Sequence, residues 1–160
     1  MNLEAFRAEA ERKKKSNKKL VQRLKRRLPK DLDTVVHNLH DEVFERIDCL
    51  TCANCCKTTS PIFRDKDIER IAQHFRMRPV QFIEQYLYLD NEGHYVLKTA
   101  PCPFLGTDNY CSIYEVRPRA CREYPHTNRK KFGQLLNLTL RNTEICPATL
   151  EILEQLKRIY

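Results

Sequence analysis

Apolar residues recur at helical spacing in the first part of the chain. No Gly or Pro occurs between Leu3 and Leu28, and an apolar stripe runs through the second half of this segment before Pro29 stops it. The pattern predicts one long N-terminal helix. Its stripe consists of Leu20, Val21, Leu24 and Leu28.

A second helix is predicted directly after this segment. Asp31 or Asp33 can cap it, and its apolar residues follow the i, i+3, i+4, i+7 pattern as far as Ile47. Two histidines, His37 and His40, lie on it close to the first cysteine. Because a histidine on a helix surface is more often solvated than a metal ligand, solvation is the favoured interpretation for both.

Two short helices and a hairpin are predicted in the middle of the chain. Asp65 or Asp67 can cap the first helix, and Pro79 suits the first turn of the second. Residues 90–93 have turn composition and separate two short apolar segments, so residues 88–97 are predicted to form a small β-hairpin.

The chain becomes irregular beyond the hairpin. Between Pro101 and Pro125 there are four prolines and three cysteines, so regular structure can only be brief there. A last helix is predicted after the pair Cys146-Pro147. The predicted fold is mainly α, a small helical domain with a short β-hairpin and irregular metal-stapled loops. Its predicted division is a basic N-terminal helix over residues 1–30 and a cysteine-cluster metal-binding domain over residues 31–160.

The net charge of +8 comes from the N-terminus. Residues 1–30 contain 12 Lys or Arg and three Glu, whereas residues 31–160 are close to neutral. Basic clusters bind phosphates by releasing counterions, so RNA, DNA or an acidic membrane surface are candidate partners. Because no stacking aromatic residues are interleaved with the lysines, a solvated helix face is the favoured interpretation.

The eight cysteines indicate metal binding rather than disulfides. Eight in 160 residues is below the roughly 8–10% typical of disulfide scaffolds, and neither a secretory signal nor a membrane-spanning apolar segment is visible. A cytoplasmic location is therefore predicted. In a reducing compartment, metal ligation is the default explanation for clustered thiols.

Four of the cysteines form one run. Cys49, Cys52 and Cys55 have the CxxCxxC spacing with which ferredoxins bind clusters, and CxxC pairs also form zinc knuckles. Cys56 follows directly. Since neighbouring side chains point in different directions, Cys55 and Cys56 can serve one centre only through an unusual local turn, and two centres are possible.

Four further cysteines complete the candidate ligand set. Cys102 and Cys146 each precede a proline, as a remote ferredoxin ligand does. The set allows two tetrathiolate sites, one four-cysteine cluster with four structural thiols, or one site completed by an imidazole such as His126. A cysteine nucleophile is a less favoured alternative. The four additional candidate ligands are Cys102, Cys111, Cys121 and Cys146.

Three arginines lie close to Cys121 in the sequence. Guanidinium groups near a tetrathiolate cluster would offset its negative charge and raise its reduction potential. Surface ion pairing with neighbouring glutamates is an equally weighted interpretation. The three residues are Arg117, Arg119 and Arg122.

Several cysteine-containing blocks together resemble a known family. CLTCANCC at residues 49–56, CPFL at 102–105, CSIY at 111–114 and CREYP at 121–125 occur in the order found in the YkgJ-type cysteine-cluster proteins, described as zinc- or iron-chelating CxxCxxCC domains. The resemblance covers about 100 residues. Two features depart from many members: the first cysteine gap is two residues instead of three, and Tyr124 replaces Phe.

The resemblance implies that these cysteines bind metal, with Fe-S oxidoreductase as a frequent label in the family. The predicted function is therefore an iron-sulfur protein, of the 4Fe-4S type, in a redox, electron-transfer or redox-accessory role with a redox partner protein. Whether it is an enzyme stays open. The alternative is a zinc-stabilised binding module whose basic N-terminal helix engages an acidic partner such as RNA.

Overall fold

The computed structural model describes residues 2–160. Over these residues the chain forms nine α-helices, two short 3-10 helices and one two-stranded antiparallel sheet, which confirms the predicted mainly α fold with a short hairpin. The 3-10 helices cover Tyr114–Val116 and Phe132–Leu135, and the strands are β1 (Leu87–Leu89) and β2 (Tyr95–Leu97). The α-helices are α1 (Leu3–Arg26), α2 (Leu32–Phe44), α3 (Cys49–Cys52), α4 (Asn54–Thr58), α5 (Asp65–His74), α6 (Pro79–Tyr86), α7 (Arg119–Glu123), α8 (Leu136–Asn142) and α9 (Pro147–Ile159).

The chain divides into two compact units. The helical unit contains the residues up to Cys52 together with Pro125–Tyr160, and the insert unit contains Ala53–Tyr124. The boundary falls inside the cysteine run. Within the helical unit, the basic N-terminal segment forms α1, which packs on α8 and α9. The division of the chain into residues 1–30 and 31–160 by function stays a prediction.

Helix α1 buries one apolar face in the helical unit. Leu20, Val21 and Leu24 are each 2% exposed, as their helical spacing predicts. The helix ends at Arg26 because Arg27 has an extended conformation, with φ −141° and ψ 91°. Leu28 therefore leaves the predicted stripe and is 55% exposed.

Two aspartates at the start of α2 have different roles. Asp31 occupies the N-cap position without a side-chain capping hydrogen bond. The carboxylate of Asp33 instead accepts hydrogen bonds from the backbone N–H groups of Lys131 at 2.7 Å and Phe132 at 2.9 Å. Asp33, a capping candidate in the sequence, thus makes a tertiary contact that joins α2 to the second 3-10 helix.

The two histidines on α2 also make tertiary contacts. The Nε2 atom of His37 lies 3.1 Å from the backbone carbonyl oxygen of Arg129. The Nδ1 atom of His40 lies 2.7 Å from the hydroxyl of Thr127, and burial lowers the pKa of His40. Both imidazoles therefore connect α2 to the segment that begins the second part of the helical unit.

The insert unit is built around aromatic side chains. Phe82 on α6 is fully buried, and the rings of Phe63, Tyr86 and Phe104 have centroids 5.1–6.1 Å from its own. Val80, on the same helix, is 62% exposed. The hairpin follows directly, with Leu87 paired with Leu97 in register.

The length and hydropathy of the helices show whether the described part of the chain contains a membrane-spanning helix. None of its helices combines the length and the apolar character that are needed to cross a bilayer.

Candidate metal centre

The cysteine run does not form one continuous helix. Helix α3 contains Cys49 and Cys52, and α4 contains Cys55 and Cys56, with Ala53 between them in the left-handed conformation at φ 48° and ψ 16°. This conformation costs a residue with a Cβ atom about 1–2 kcal/mol. The left-handed residue interrupts the helix between the two CxxC halves, whereas Cys55 and Cys56 are consecutive residues of α4 with no unusual turn between them.

Four thiols from separate segments gather within the insert unit. The backbone N–H of Cys102 donates a 2.8 Å hydrogen bond to the carbonyl of Cys56, and Cys111 pairs with Leu105 in an isolated antiparallel bridge. Cys121 lies on α7. Burial raises the pKa of Cys121 most, and the charges of the other three thiolates raise it further, so Cys121 interacts electrostatically with all three. We refer to Cys56, Cys102, Cys111 and Cys121 as the insert thiols.

The insert thiols differ in acidity. A hydrogen bond from the Cys55 side chain lowers the pKa of Cys56 to about 7. Burial raises the pKa of Cys102 to about 11 and that of Cys121 to about 12, and it also raises the pKa of Cys111. Cys56 is thus the thiol most readily available as a thiolate. The raised pKa of Cys121, the candidate for a cysteine nucleophile, does not fit that alternative, since the thiolate is the reactive form.

An apolar wall supports two of these thiols. Cys102 and Cys111 pack against the hydrophobic core of the insert unit, in which Phe104 and Ile113 are only 4% and 2% exposed. Each of these apolar residues lies two positions after a cysteine. The same short segments therefore supply a sulfur and a side chain that excludes water from behind it.

A buried ion pair fixes the segment that leads to Cys121. Asp67, on α5, accepts hydrogen bonds from the backbone N–H groups of Arg64 and Arg119 and from the Arg70 guanidinium, at 3.0, 3.1 and 2.7 Å. Arg70 also donates to the carbonyls of Val116 at 3.2 Å and Arg117 at 2.9 Å. Asp67 and Arg70 thereby hold residues 116–119, immediately before Cys121, against α5.

Only part of these contacts of Asp67 and Arg70, which we call the clamp, was predictable from the sequence. Asp67 was predicted as one of two capping candidates for α5, and its carboxylate does accept the N–H of the N-cap residue Arg64. Burial alone would raise the pKa of Asp67, but its hydrogen bonds from Arg70 and from two backbone N–H groups hold the pKa below its usual value. Arg70 was not predicted as a site residue, because its contacts join positions 46 and 47 residues apart.

The arginines near Cys121 have distinct environments. Arg117 lies over the Tyr114 ring, with its guanidinium carbon 3.7 Å from the ring centroid, and its charge opposes the rise in the pKa of both Cys111 and Cys121. Arg119 pairs with Glu123 at 2.5 Å on the surface. Arg117 is therefore the arginine whose charge acts on the thiols, whereas Arg119 forms a surface ion pair.

The remaining thiols are divided between the two units. Cys49, Cys52 and Cys146 belong to the helical unit, where Cys52 and Cys146 are buried and Cys49 is exposed. Burial raises the pKa of Cys146, and the nearby charge of Cys52 raises it further. Cys55 belongs to the insert unit, and His126 belongs to the helical unit with a left-handed backbone at φ 69°.

The donor chemistry of the insert thiols fits a metal that prefers soft ligands. Four thiolates satisfy either tetrahedral zinc or a four-iron cluster. Within residues 2–160, no three His, Cys, Asp or Glu side chains are already arranged to hold an ion. The thiols are therefore gathered but not closed into a coordination sphere.

Comparison with known proteins identifies a family whose model covers the cysteine-containing segment. A family model described as "CxxCxxCC: Putative zinc- or iron-chelating domain" matches residues 48–146, more than half of the chain. The chain belongs to this family. The resemblance seen in the cysteine blocks is thereby confirmed, and this CxxCxxCC protein is a metal-binding cysteine-cluster protein. No curated protein and no solved structure matches the chain.

Proposed function

We propose that this CxxCxxCC protein binds an iron-sulfur cluster of the 4Fe-4S type through the insert thiols and serves in a redox, electron-transfer or redox-accessory role. The observation that carries the proposal is that four thiols of the insert unit interact electrostatically and that two of them, Cys102 and Cys111, pack against its apolar core. When bound, such a cluster accepts and releases one electron.

The sequence spacing of the insert thiols favours a cluster over zinc. Structural zinc sites typically use ligand pairs two to four residues apart. The closest pair among the insert thiols is Cys102 and Cys111, nine residues apart, so no zinc knuckle lies within this set. Each sulfur therefore comes from its own segment of the chain.

The charges around the insert thiols also suit a cluster. A cluster held by four thiolates is an anion, and its reduction adds further negative charge. Arg117 is held near Cys111 and Cys121 by its contact with Tyr114, so its position does not depend on the metal. A fixed positive charge there stabilises the reduced form and raises the reduction potential.

The position of the cluster would suit exchange of electrons with a partner protein. Cys56, Cys102 and Cys111 are half-buried, so the proposed centre lies close to the surface of the insert unit. The apolar wall behind Cys102 and Cys111 limits water on one side only. A redox partner could approach from the opposite side.

The other cysteines are proposed as further metal ligands. Cys52 and Cys146 interact electrostatically within the helical unit, as two ligands of one centre would. Cys49 lies on the same short helix as Cys52. Cys49, Cys52 and Cys146 are therefore candidates for a second centre within the helical unit, and Cys55 stays a candidate ligand within the insert unit.

The test is anaerobic purification followed by iron, sulfide and zinc analysis. A brown protein with equal amounts of iron and acid-labile sulfide, whose visible absorbance bleaches on addition of dithionite, is the expected result. Cys121→Ser should lower the cluster content because it removes one of the four insert thiols. The matched variant Ser112→Ala, next to Cys111, should retain it.

Two results would overturn the proposal. A colourless protein that holds stoichiometric zinc after anaerobic purification would exclude the cluster. A cluster that survives Cys121→Ser and Cys102→Ser unchanged would show that the insert thiols do not hold it.

A further inference from the structure

We infer that the exposed face of α1 binds the phosphate backbone of a nucleic-acid duplex, independently of base sequence. The surface consists of Lys15, Lys19, Arg23 and Arg26, which we call the basic stripe. This function is separate from the proposed metal centre and does not depend on which metal is bound.

The basic stripe lies on one face of α1. Its members are three or four residues apart, so they project from the same side of the helix, and all four are exposed. The buried face of α1 consists of other positions, among them Leu20, Val21 and Leu24. The fold therefore fixes which side of α1 faces the solvent, and that side is cationic.

The charge of the stripe is not compensated locally. From Arg12 to Lys30 there are 11 Lys or Arg residues and no Asp or Glu. Among the residues that the structure describes, the ion pairs of this segment are made by Lys13 and Lys14, and none involves the stripe. The stripe thus remains available for an external anion.

The surface around the stripe is concave. Lys19, Gln22, Arg23, Arg26 and Arg27 line an open depression of about 580 Å³. Four cations around one shallow depression can surround a phosphate group from several sides. Arginine adds bidentate hydrogen bonds to phosphate oxygens, which lysine does not provide.

The length of the stripe suits a duplex backbone. From Lys15 to Arg26 the helix rises about 17 Å at 1.5 Å per residue. One strand of a duplex carries a phosphate about every 3.4 Å along the axis, so the stripe spans about five phosphates. A rigid helix held by its opposite face would present these cations without first having to fold.

Other polyanions fit this surface less well. A helix that lies in a membrane interface needs a free apolar face, but the apolar face of α1 is buried in the helical unit. Binding of single strands relies on aromatic side chains on which bases stack, and the aromatic residue of α1, Phe6, is only 7% exposed. A duplex, whose bases are already stacked, needs only the phosphate contacts.

The test compares two triple variants of the full-length, metal-loaded protein. The first removes three stripe charges by Lys19→Gln, Arg23→Gln and Arg26→Gln. The second removes three exposed charges elsewhere by Lys66→Gln, Lys130→Gln and Arg141→Gln. Glutamine keeps high helix propensity, so α1 should persist, which far-UV circular dichroism and unchanged metal content will verify.

Fluorescence anisotropy with a 20-base-pair duplex of either RNA or DNA measures binding over a range of salt concentrations. We expect the wild type and the control variant to bind both duplexes with a similar, strongly salt-dependent affinity. The stripe variant should bind at least about 10-fold more weakly near 0.1 M salt, with the slope of log K against log salt reduced by about 3, or 0.9 per lost phosphate contact.

Several outcomes would overturn this inference. The first is an absence of duplex binding by the wild type at about 0.05 M salt, where phosphate contacts are strongest. The second is an equal loss of duplex affinity in the two triple variants. The third is binding to acidic phosphatidylserine vesicles or to single strands in preference to duplexes. Each would remove the specific link between the stripe and a duplex backbone. None of them bears on the metal centre.

Discussion

Replacing Asp67 by Asn tests whether the clamp between Asp67 and Arg70 positions Cys121. Asn has the same shape but no charge and only one acceptor oxygen. The three hydrogen bonds that Asp67 accepts, at 2.7–3.1 Å, cannot all be kept. Its amide would also place N–H groups against the donors of Arg70 or of the backbone.

The cost follows from the burial of the pair. The Asp67 side chain is 4% exposed and that of Arg70 is 32% exposed. Removal of one partner from a buried ion pair costs about 3–5 kcal/mol, but partial exposure of Arg70 and its carbonyl contacts lower this value. We expect Asp67→Asn to reduce the free energy of unfolding by about 2–4 kcal/mol.

The effect should depend on pH in a defined direction. The pKa of Asp67 is lowered in the folded protein, so the ionised carboxylate stabilises the fold above the unfolded pKa of about 3.9. That stabilisation disappears as pH falls through the lower folded pKa. The difference between wild type and variant should therefore be full at pH 7 and shrink in strong acid.

Urea denaturation, followed by circular dichroism, measures the stability, and mass-spectrometric mapping of alkylation measures the release of Cys121. In the variant, alkylation of Cys121 should accelerate relative to Cys146, a buried thiol of the helical unit. Asp65→Asn, an exposed change in the first turn of the same helix, is the matched control. If Asp67→Asn stays within about 0.5 kcal/mol of wild type, as an ordinary surface substitution does, or leaves Cys121 protected, the clamp does not have this role.

Three further predictions concern the centre and its support. Burial raises the pKa of Cys121 to about 12, while the pKa of Cys56 is about 7. Zinc bound by the insert thiols at pH 7 should therefore displace roughly three to four protons, which calorimetry in two buffers measures. Release of only one or two protons would contradict this ligand set. Phe82→Ala should reduce the free energy of unfolding by about 3–5 kcal/mol in urea denaturation, because the ring is fully buried. Arg117→Met should lower the reduction potential of a bound cluster by roughly 40 mV in a redox titration, which corresponds to an interaction of about 1 kcal/mol between a half-buried charge and the transferred electron. Arg122→Met, which removes an exposed charge, should change the potential less.

The sequence predicted those parts of the fold that depend on local pattern. Helix α9 begins at Pro147 as expected, because proline at the first position needs no N–H partner. Packing alone decides the buried face of α6, since Val80 and Phe82 are both apolar but only Phe82 is buried. Helix α8 was not predicted, because its seven residues are too few to show a clear period.

The residues of the candidate site were predictable from the sequence, but their spatial arrangement was not. Spacing and resemblance identified all eight cysteines as candidate ligands. The left-handed turn at Ala53, which separates Cys52 from Cys55, has no sequence signal because alanine rarely adopts that conformation. The Asp67–Arg70 clamp depends on contacts that only the folded chain creates.

These contacts also explain how an irregular segment can present metal ligands. The insert thiols are brought together by a backbone hydrogen bond between Cys102 and Cys56, by the bridge that places Cys111, and by the clamp before Cys121. Each of these three contacts is made by protein atoms alone. A site whose ligands are gathered beforehand loses less conformational entropy when metal binds than one that must form on binding. In the proposed centre, the protein's folding energy would therefore contribute to metal affinity at the insert thiols.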